Sequence, residues 1–174
     1  LRGVADGRIE RFEVETIVGS LLLGLASAQT FMAPLVRLRQ ADEYTTAHSL
    51  NVASLTMALA QYAGYTADQV RAVGVAGVLH DIGKVLVPRE VLNRNGPLTA
   101  EERALVERHP VDGARMILES GDAGLELAAI VAYEHHMRYD GGGYPQPSRR
   151  RACHPASDLL HVCDVCYAMA THGP

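Results

Sequence analysis

Val73-Gly74-Val75-Ala76-Gly77-Val78-Leu79-His80-Asp81-Ile82-Gly83-Lys84 is an apolar stretch that ends on an imidazole beside a carboxylate. Thr66, with Gln69 three residues on, makes a capping box, so the spacing predicts a helix from Ala67 to about Ile82 that Gly83 stops. An imidazole and a carboxylate buried side by side are costly unless paired or coordinated, and Lys84 is the only cation close by. A metal fits better. A carboxylate has two oxygens and can bridge two ions about 3.5–4 Å apart while each imidazole binds one of them.

Working outward, the apolar period is helical almost throughout, and no run alternates long enough to demand a sheet. Residues 8 to 38 read as a long helix with a break at Pro34. From Glu43 to Ala63, Leu50, Ala53, Leu55, Ala58 and Leu59 recur at helical steps and predict one buried face, ended by Gly64. Residues 84 to 98 read as a loop with a short helical turn. Thr99 and Glu102 make a second capping box, opening a helix to His109, where Pro110 marks a boundary or starts the next helix. Helices over Val111 to Glu119 and Leu125 to Met137 follow, then a glycine turn from Asp140 to Gly143, a loop from Pro145 to Pro155, and a last helix capped by Ser157 and running to about Ala170. No repeat or interdomain linker is visible. The expected fold class is all-α, a single-domain helical bundle.

The 174 residues carry a formal charge of −4, which gives no broad basic surface for general nucleic-acid binding. Three cysteines, Cys153, Cys163 and Cys166, are too few and too clustered for a disulfide framework, and a reducing, cytoplasmic location is expected. Ile17 to Val36 holds no formal charge over twenty residues, but polar residues and Pro34 dilute it. A buried helix, not a membrane span, is the reading. The chain opens on Leu1 instead of Met, so it reads as a piece of something longer. The expectation is a regulatory region upstream, with helix 8 to 38 as its signal-carrying connection and a homodimer contact.

Five of the eight histidines, His48, His80, His109, His135 and His136, fall near helix ends or on expected buried faces. Adjacent helical residues point about 100 degrees apart, so His135 and His136 can converge on a metal only where their helix ends, and the glycines supply that end. Asp164 lies among Leu160, Val162 and Val165 on the last helix. Five His and two Asp without a cysteine favour Mn or Fe and permit Zn, Co or Ni. Seven ligands exceed one ion, so two divalent ions are expected.

Together these residues resemble the HD-GYP group of the HD metal-dependent phosphohydrolases. Tyr44-Thr45-Thr46-Ala47-His48-Ser49, His80-Asp81-Ile82-Gly83-Lys84, His109-Pro110, His135-His136 with Asp140-Gly141-Gly142-Gly143-Tyr144-Pro145, and Asp164-Val165 carry the likeness over residues 42 to 174. Residues 1 to 41 then form an N-terminal helical segment. The resemblance implies an enzyme that hydrolyses a cyclic dinucleotide, cyclic di-GMP above all, through a metal-bridging hydroxide. It assigns one metal to His48, His80, Asp81 and Asp164 and the other to Asp81, His109, His135 and His136, with Asp81 as the catalytic bridge. Lys84 would set a positive charge against the phosphate, and Gly143, Tyr144 and Pro145 would shape the substrate pocket. Arg138 is a further candidate for holding phosphate.

Four positions depart from the family pattern. Met137 stands where many members have Glu after the paired histidines, Tyr44 where three-metal members have Glu, Tyr167 where a second Asp is usual, and Gly173 where an Arg contacts substrate. The first removes a carboxylate that could orient ligands, the second argues for two metals, and the last loosens the grip on substrate. A cyclic di-GMP receptor that keeps the metals but has lost turnover is therefore the alternative. An oxygen-activating di-iron enzyme is a third reading, which Lys84 and the glycine turn disfavour. His154, His161 and His172 read as surface or packing residues, Arg149 to Arg151 as a solvated loop, Cys163 and Cys166 as buried packing, and Met57, Met116 and Met169 as core.

Overall fold

A computed structural model describes residues 11–27, 41–147 and 151–171. It is all-α. The helices are α1 (Arg11–Ser27), α2 (Ala41–Tyr62), α3 (Ala67–Leu79), α4 (Arg89–Leu92), α5 (Ala100–Val106), α6 (His109–Glu119), α7 (Glu126–Glu134) and α8 (Pro155–Thr171), with a 3-10 turn at Ile82–Leu86. An isolated antiparallel bridge joins Met137 to Gly143. Both capping boxes form: Thr66 with Gln69 opens α3, and Thr99 with Glu102 opens α5. Pro110 sits in the first turn of α6, where its missing N–H costs nothing.

Helix α3 lies centrally, with α2, α7 and α1 packed on it, while α8 packs mainly on α2. Val14 and Val18 of α1, Val52 and Met57 of α2, Val70 and Val73 of α3, Ile117 of α6 and Leu160 of α8 share one core. Arg11 fastens α1 to the α6–α7 turn by donating to Asp122 at 2.9 Å and to the Ala123 carbonyl at 2.6 Å. Phe12 and Leu23 of the same helix face outward. None of the described helices is long and apolar enough to cross a membrane.

The structure corrects several expectations. The buried face of α2 is centred on Val52, Ala53, Thr56, Met57 and Ala60, whereas Leu50, Leu55 and Leu59 only flank it. A threonine can sit in the core there because its hydroxyl donates to the Val52 carbonyl at 2.7 Å. Helix α7 ends at Glu134, three residues before the expected Met137. Helix α8 starts at Pro155, and its cap is His154, whose Nδ1 accepts from the Ala156 N–H at 3.1 Å, leaving Ser157 inside the helix. Met57 is core and Met116 packs against it, but Met169 is exposed. Cys163 is buried, but Cys166 is exposed. The break at Pro34, Tyr44's side chain, Arg149, Arg150, His172 and Gly173 lie outside the described residues.

Candidate metal centre

A helix leaves its last carbonyls without intrahelical partners. Three of these helices meet that need with a histidine ring placed just past the end. His80, the C-cap of α3, turns Nδ1 to the Gly77 carbonyl at 2.7 Å. His135, the C-cap of α7, does the same to Ala132 at 2.8 Å, and His109 to Val106, the last residue of α5, at 2.6 Å. A carbonyl only accepts, so each Nδ1 carries the proton and each Nε2 presents a lone pair. The negative ends of three helix dipoles therefore gather where bare nitrogens converge, a setting that favours a cation.

Asp81 stands between two groups of these donors. Its Oδ1 lies 3.2 Å from His109 Nε2 and 3.6 Å from His135 Nε2. Its Oδ2 lies 3.3 Å from His80 Nε2 and 3.8 Å from His48 Nε2, and accepts from Lys84 Nζ at 2.6 Å. Gly83 makes this approach feasible. A Cβ there would stand 2.0 Å from the His109 carbonyl oxygen, so only glycine lets the 3-10 turn press on the start of α6.

Burial opposes ionisation of Asp81, but the charges of Lys84 and His80 outweigh it and hold its carboxyl well below the usual range. Burial likewise opposes the charge on Asp164, and the His48 hydrogen bond with the neighbouring imidazoles wins, bringing it to about 2. For His135 burial dominates and lowers the imidazole to about 4; for His136 burial, joined by His135 and His109, lowers it to about 2. The centre thus holds ionised carboxylates facing the neutral rings of His135 and His136, while the Asp81 charge raises His80 against its burial.

Seven expected site residues are brought together. The ligand atoms of Asp81, His109, His135 and His136 lie within 4.8 Å of one another, and so do those of His48, His80 and Asp164. His48 Nε2 is 3.0 Å from Asp164 Oδ1. The donors fit metal ions on this structure's own terms. His80 Nε2 and Asp81 Oδ1 are buried with no hydrogen-bond partner, and Nε2 of His109 and His135 face each other at 3.1 Å, a lone-pair repulsion that a cation removes.

Beyond the ligands, the chain folds back at the glycine turn. The Tyr144 N–H donates to the His136 carbonyl at 3.2 Å, and its ring lies 4.6 Å from the His136 ring. Gly143 permits this, with φ of 76° and a would-be Cβ 2.1 Å from that same carbonyl oxygen. Burial raises the Tyr144 hydroxyl to about 12, so it stays protonated. Arg138 is exposed and pairs with Asp140. A cavity of about 690 Å³ lies along this loop, lined by Arg138, Asp140, Pro145, Arg151 and Asp158 among others, but by none of the seven ligand candidates.

Three residues outside the ligand set make specific contacts around it. Tyr167 is buried, with its hydroxyl accepting from Asn51 at 2.9 Å and its ring edge-on to His48 at 5.3 Å. His161 reaches the His135 carbonyl with Nδ1 at 2.7 Å, and Arg151, exposed as expected, also pairs with the buried Glu134. Glu134 itself passed unnoticed in the sequence. Its signal was a carboxylate closing the apolar helix that leads into His135-His136.

An HD domain family model matches residues 30–172. The chain belongs to the HD domain family. Its motif series resembles that of the HD-GYP group. It is 40% identical over 166 residues to the cyclic di-GMP phosphodiesterase PA4108 of Pseudomonas aeruginosa, covering 92% of this chain and 40% of that one. It is 33% identical over 133 residues to the 3'3'-cGAMP-specific phosphodiesterase 1 of Vibrio cholerae, covering 76% of this chain and 30% of that one. The fold is similar to that of the HDG"Y"P protein Bd1817 from Bdellovibrio bacteriovorus, with a TM-score of 0.73 at 22% identity, covering 92% of this chain and 52% of that one. The chain spans between about a fifth and two fifths of the length of the curated relatives it matches.

Proposed function

We propose that this HD domain hydrolyses a phosphodiester bond of a cyclic dinucleotide, cyclic di-GMP first among them, at a centre of two divalent ions. The observation that carries the reading is Asp81, whose two oxygens each face one group of ligand atoms. That division suits a bridging carboxylate, with His48, His80 and Asp164 on one side and His109, His135 and His136 on the other. A donor set of imidazole and carboxylate without thiolate favours Fe or Mn, with Zn, Co or Ni permitted. Bound ions supply a water nucleophile at neutral pH and neutralise charge developing on the phosphate.

The chain's own residues do the rest. Asp81, ionised by its surroundings, holds Lys84 at the mouth of the site, where the ammonium is partly exposed and can face an anionic phosphate. Tyr144, packed on His136 and protonated, offers a hydroxyl donor beside the centre. Gly143 and Pro145 shape the wall on which a nucleotide would rest, and Arg138 extends it outward. The similarity to cyclic di-GMP and 3'3'-cGAMP phosphodiesterases supports a guanine-containing cyclic dinucleotide as substrate. Helix α1, anchored by Val14 and Val18 with Phe12 and Leu23 outside, suits a connection to an upstream region or a second copy.

Turnover of cyclic di-GMP and 3'3'-cGAMP by anaerobically purified chain loaded with Mn or Fe(II), with products separated by chromatography, tests the reading. Cleavage that vanishes in Asp81→Ala supports it. A metal-loaded chain that binds the nucleotide without cleaving it would overturn hydrolysis in favour of a receptor.

A further inference from the structure

Glu134 is the last residue of α7, directly before the paired histidines, and only 1% exposed. The chemistry above makes no use of it. A carboxylate that deep is strongly unfavourable unless satisfied, and all its partners belong to α8 or the loop leading into it. Oε2 accepts from Ser157 Oγ at 2.7 Å and from the His154 N–H at 2.7 Å, while the Arg151 guanidinium pairs with Oε1. Since His154 caps α8, the Glu134 charge sits at the positive end of that seventeen-residue helix.

A second tie lies one turn on, where the His161 ring meets the His135 carbonyl. Ser157, His161 and Asp164 follow at steps of four and three residues, so they share one face of α8. That face therefore touches the last turn of α7 at two points and then presents Asp164 to His48, across the site. Because α8 packs mainly on α2, these polar ties fix where it stands relative to α7.

We propose that Glu134 is a positioning residue: by holding the start of α8 on the end of α7, it sets the separation between the two ligand groups. This rests on the two-metal reading. It also gives the chain a buried carboxylate on the turn that leads to Met137, although one that acts on the neighbouring helix and not on the rings.

The test uses the full chain stripped of metal and titrated with Mn(II) alone, with calorimetry reading the stepwise affinities and electron paramagnetic resonance reading the magnetic coupling between two bound ions. Glu134→Ala should weaken the second ion by about 10–100-fold and replace the coupled signal with that of separate ions. Glu134→Gln, which still accepts from Ser157 and His154, should restore the coupling, a rescue that general destabilisation does not predict. Should Glu134→Ala fail to fold, Ser157→Ala decides, with the same direction and a smaller effect. Variants of native circular dichroism that hold both ions with wild-type coupling would overturn the proposal while leaving the metal reading intact. Wild-type chain that takes up no Mn(II) would instead overturn the metal reading and this proposal with it.

Discussion

The histidine ring and the glycine loop are separated in sequence by Met137 alone, yet they are held in opposite ways. His80, His109 and His135 are buried, with each Nδ1 tied to a carbonyl that a helix end leaves free. The loop from Arg138 to Gln146 is held mostly from within: Arg138 pairs with Asp140, the Gly142 N–H donates to Asp140 at 2.8 Å, and Gln146 donates to the Gly143 carbonyl at 2.8 Å, all in solvent. The difference separates two tasks. The geometry of the candidate ligands is set by the bundle itself, whereas the surface proposed to meet substrate is a mostly exposed turn that joins the centre at one place, where Tyr144 meets His136.

The largest effect should come from the ring's centre. Asp81→Ala removes the carboxylate that both ligand groups face, and phosphodiesterase activity should fall by at least about 10³-fold, more than loss of one charge-stabilising donor usually costs. Metal analysis should show fewer ions per chain while helicity is retained. A variant that keeps both ions and most of its turnover would dissolve the distinction between ring and loop, because the ring would then have no essential member.

Gly143→Ala attacks the point where the two regions join. The added methyl would lie 2.1 Å from the His136 carbonyl oxygen, and φ of 76° is strained for any L side chain. A loss of about 1–3 kcal/mol in denaturant unfolding is expected. Activity should fall further than that loss explains, because Tyr144 and His136 move together. Stability lost without any change in turnover would show that the loop does not position His136.

How much of this was legible in the sequence depends on where each signal's partner lay. His80-Asp81 was readable because the apolar run, the unfavourable burial and the stopping Gly83 are contiguous. The Nδ1 ties were not, since a backbone carbonyl three residues back has no residue type to mark it. Glu134 raised the same question of burial as Asp81, but its answer, Ser157, lies 23 residues on. The start of α8 was misplaced because Ser157 looks like a cap, whereas Pro155 favoured a helix beginning at itself and His154 supplied an imidazole nitrogen where a hydroxyl is usual. The face of α2 was offset because Thr56 and Asn51 are polar by type but satisfied inside.

Acid should separate the two regions again, with a smaller effect. In the metal-free chain burial lowers His135 from 6.5 to about 4 and His136 to about 2, so the unfolded chain binds protons that the folded one refuses. Stability from these rings is fully present above 6.5 and is lost as pH falls from there toward 4. His80 shifts upward and opposes this, one ring against two. Denaturant midpoints of metal-stripped protein across that window should decline with acid, and a flat or rising profile would show that the rings are not held neutral.

The smallest effect expected is that of Arg138→Ala, and it is the most informative about the loop. Arg138 is exposed, and its partner Asp140 is exposed as well, so the pair contributes little to the turn. If the guanidinium reaches a substrate phosphate, it does so from solvent, leaving Asp140 to do it. KM for cyclic di-GMP should then rise by roughly fivefold, on the order of one exposed charge-assisted contact, while kcat and metal content stay unchanged. A fall in kcat at constant KM would place Arg138 with the ring and not the loop. Such a result would mean that the turn, despite being mostly exposed and held mostly from within, is coupled to the centre through Met137 and the His136 carbonyl.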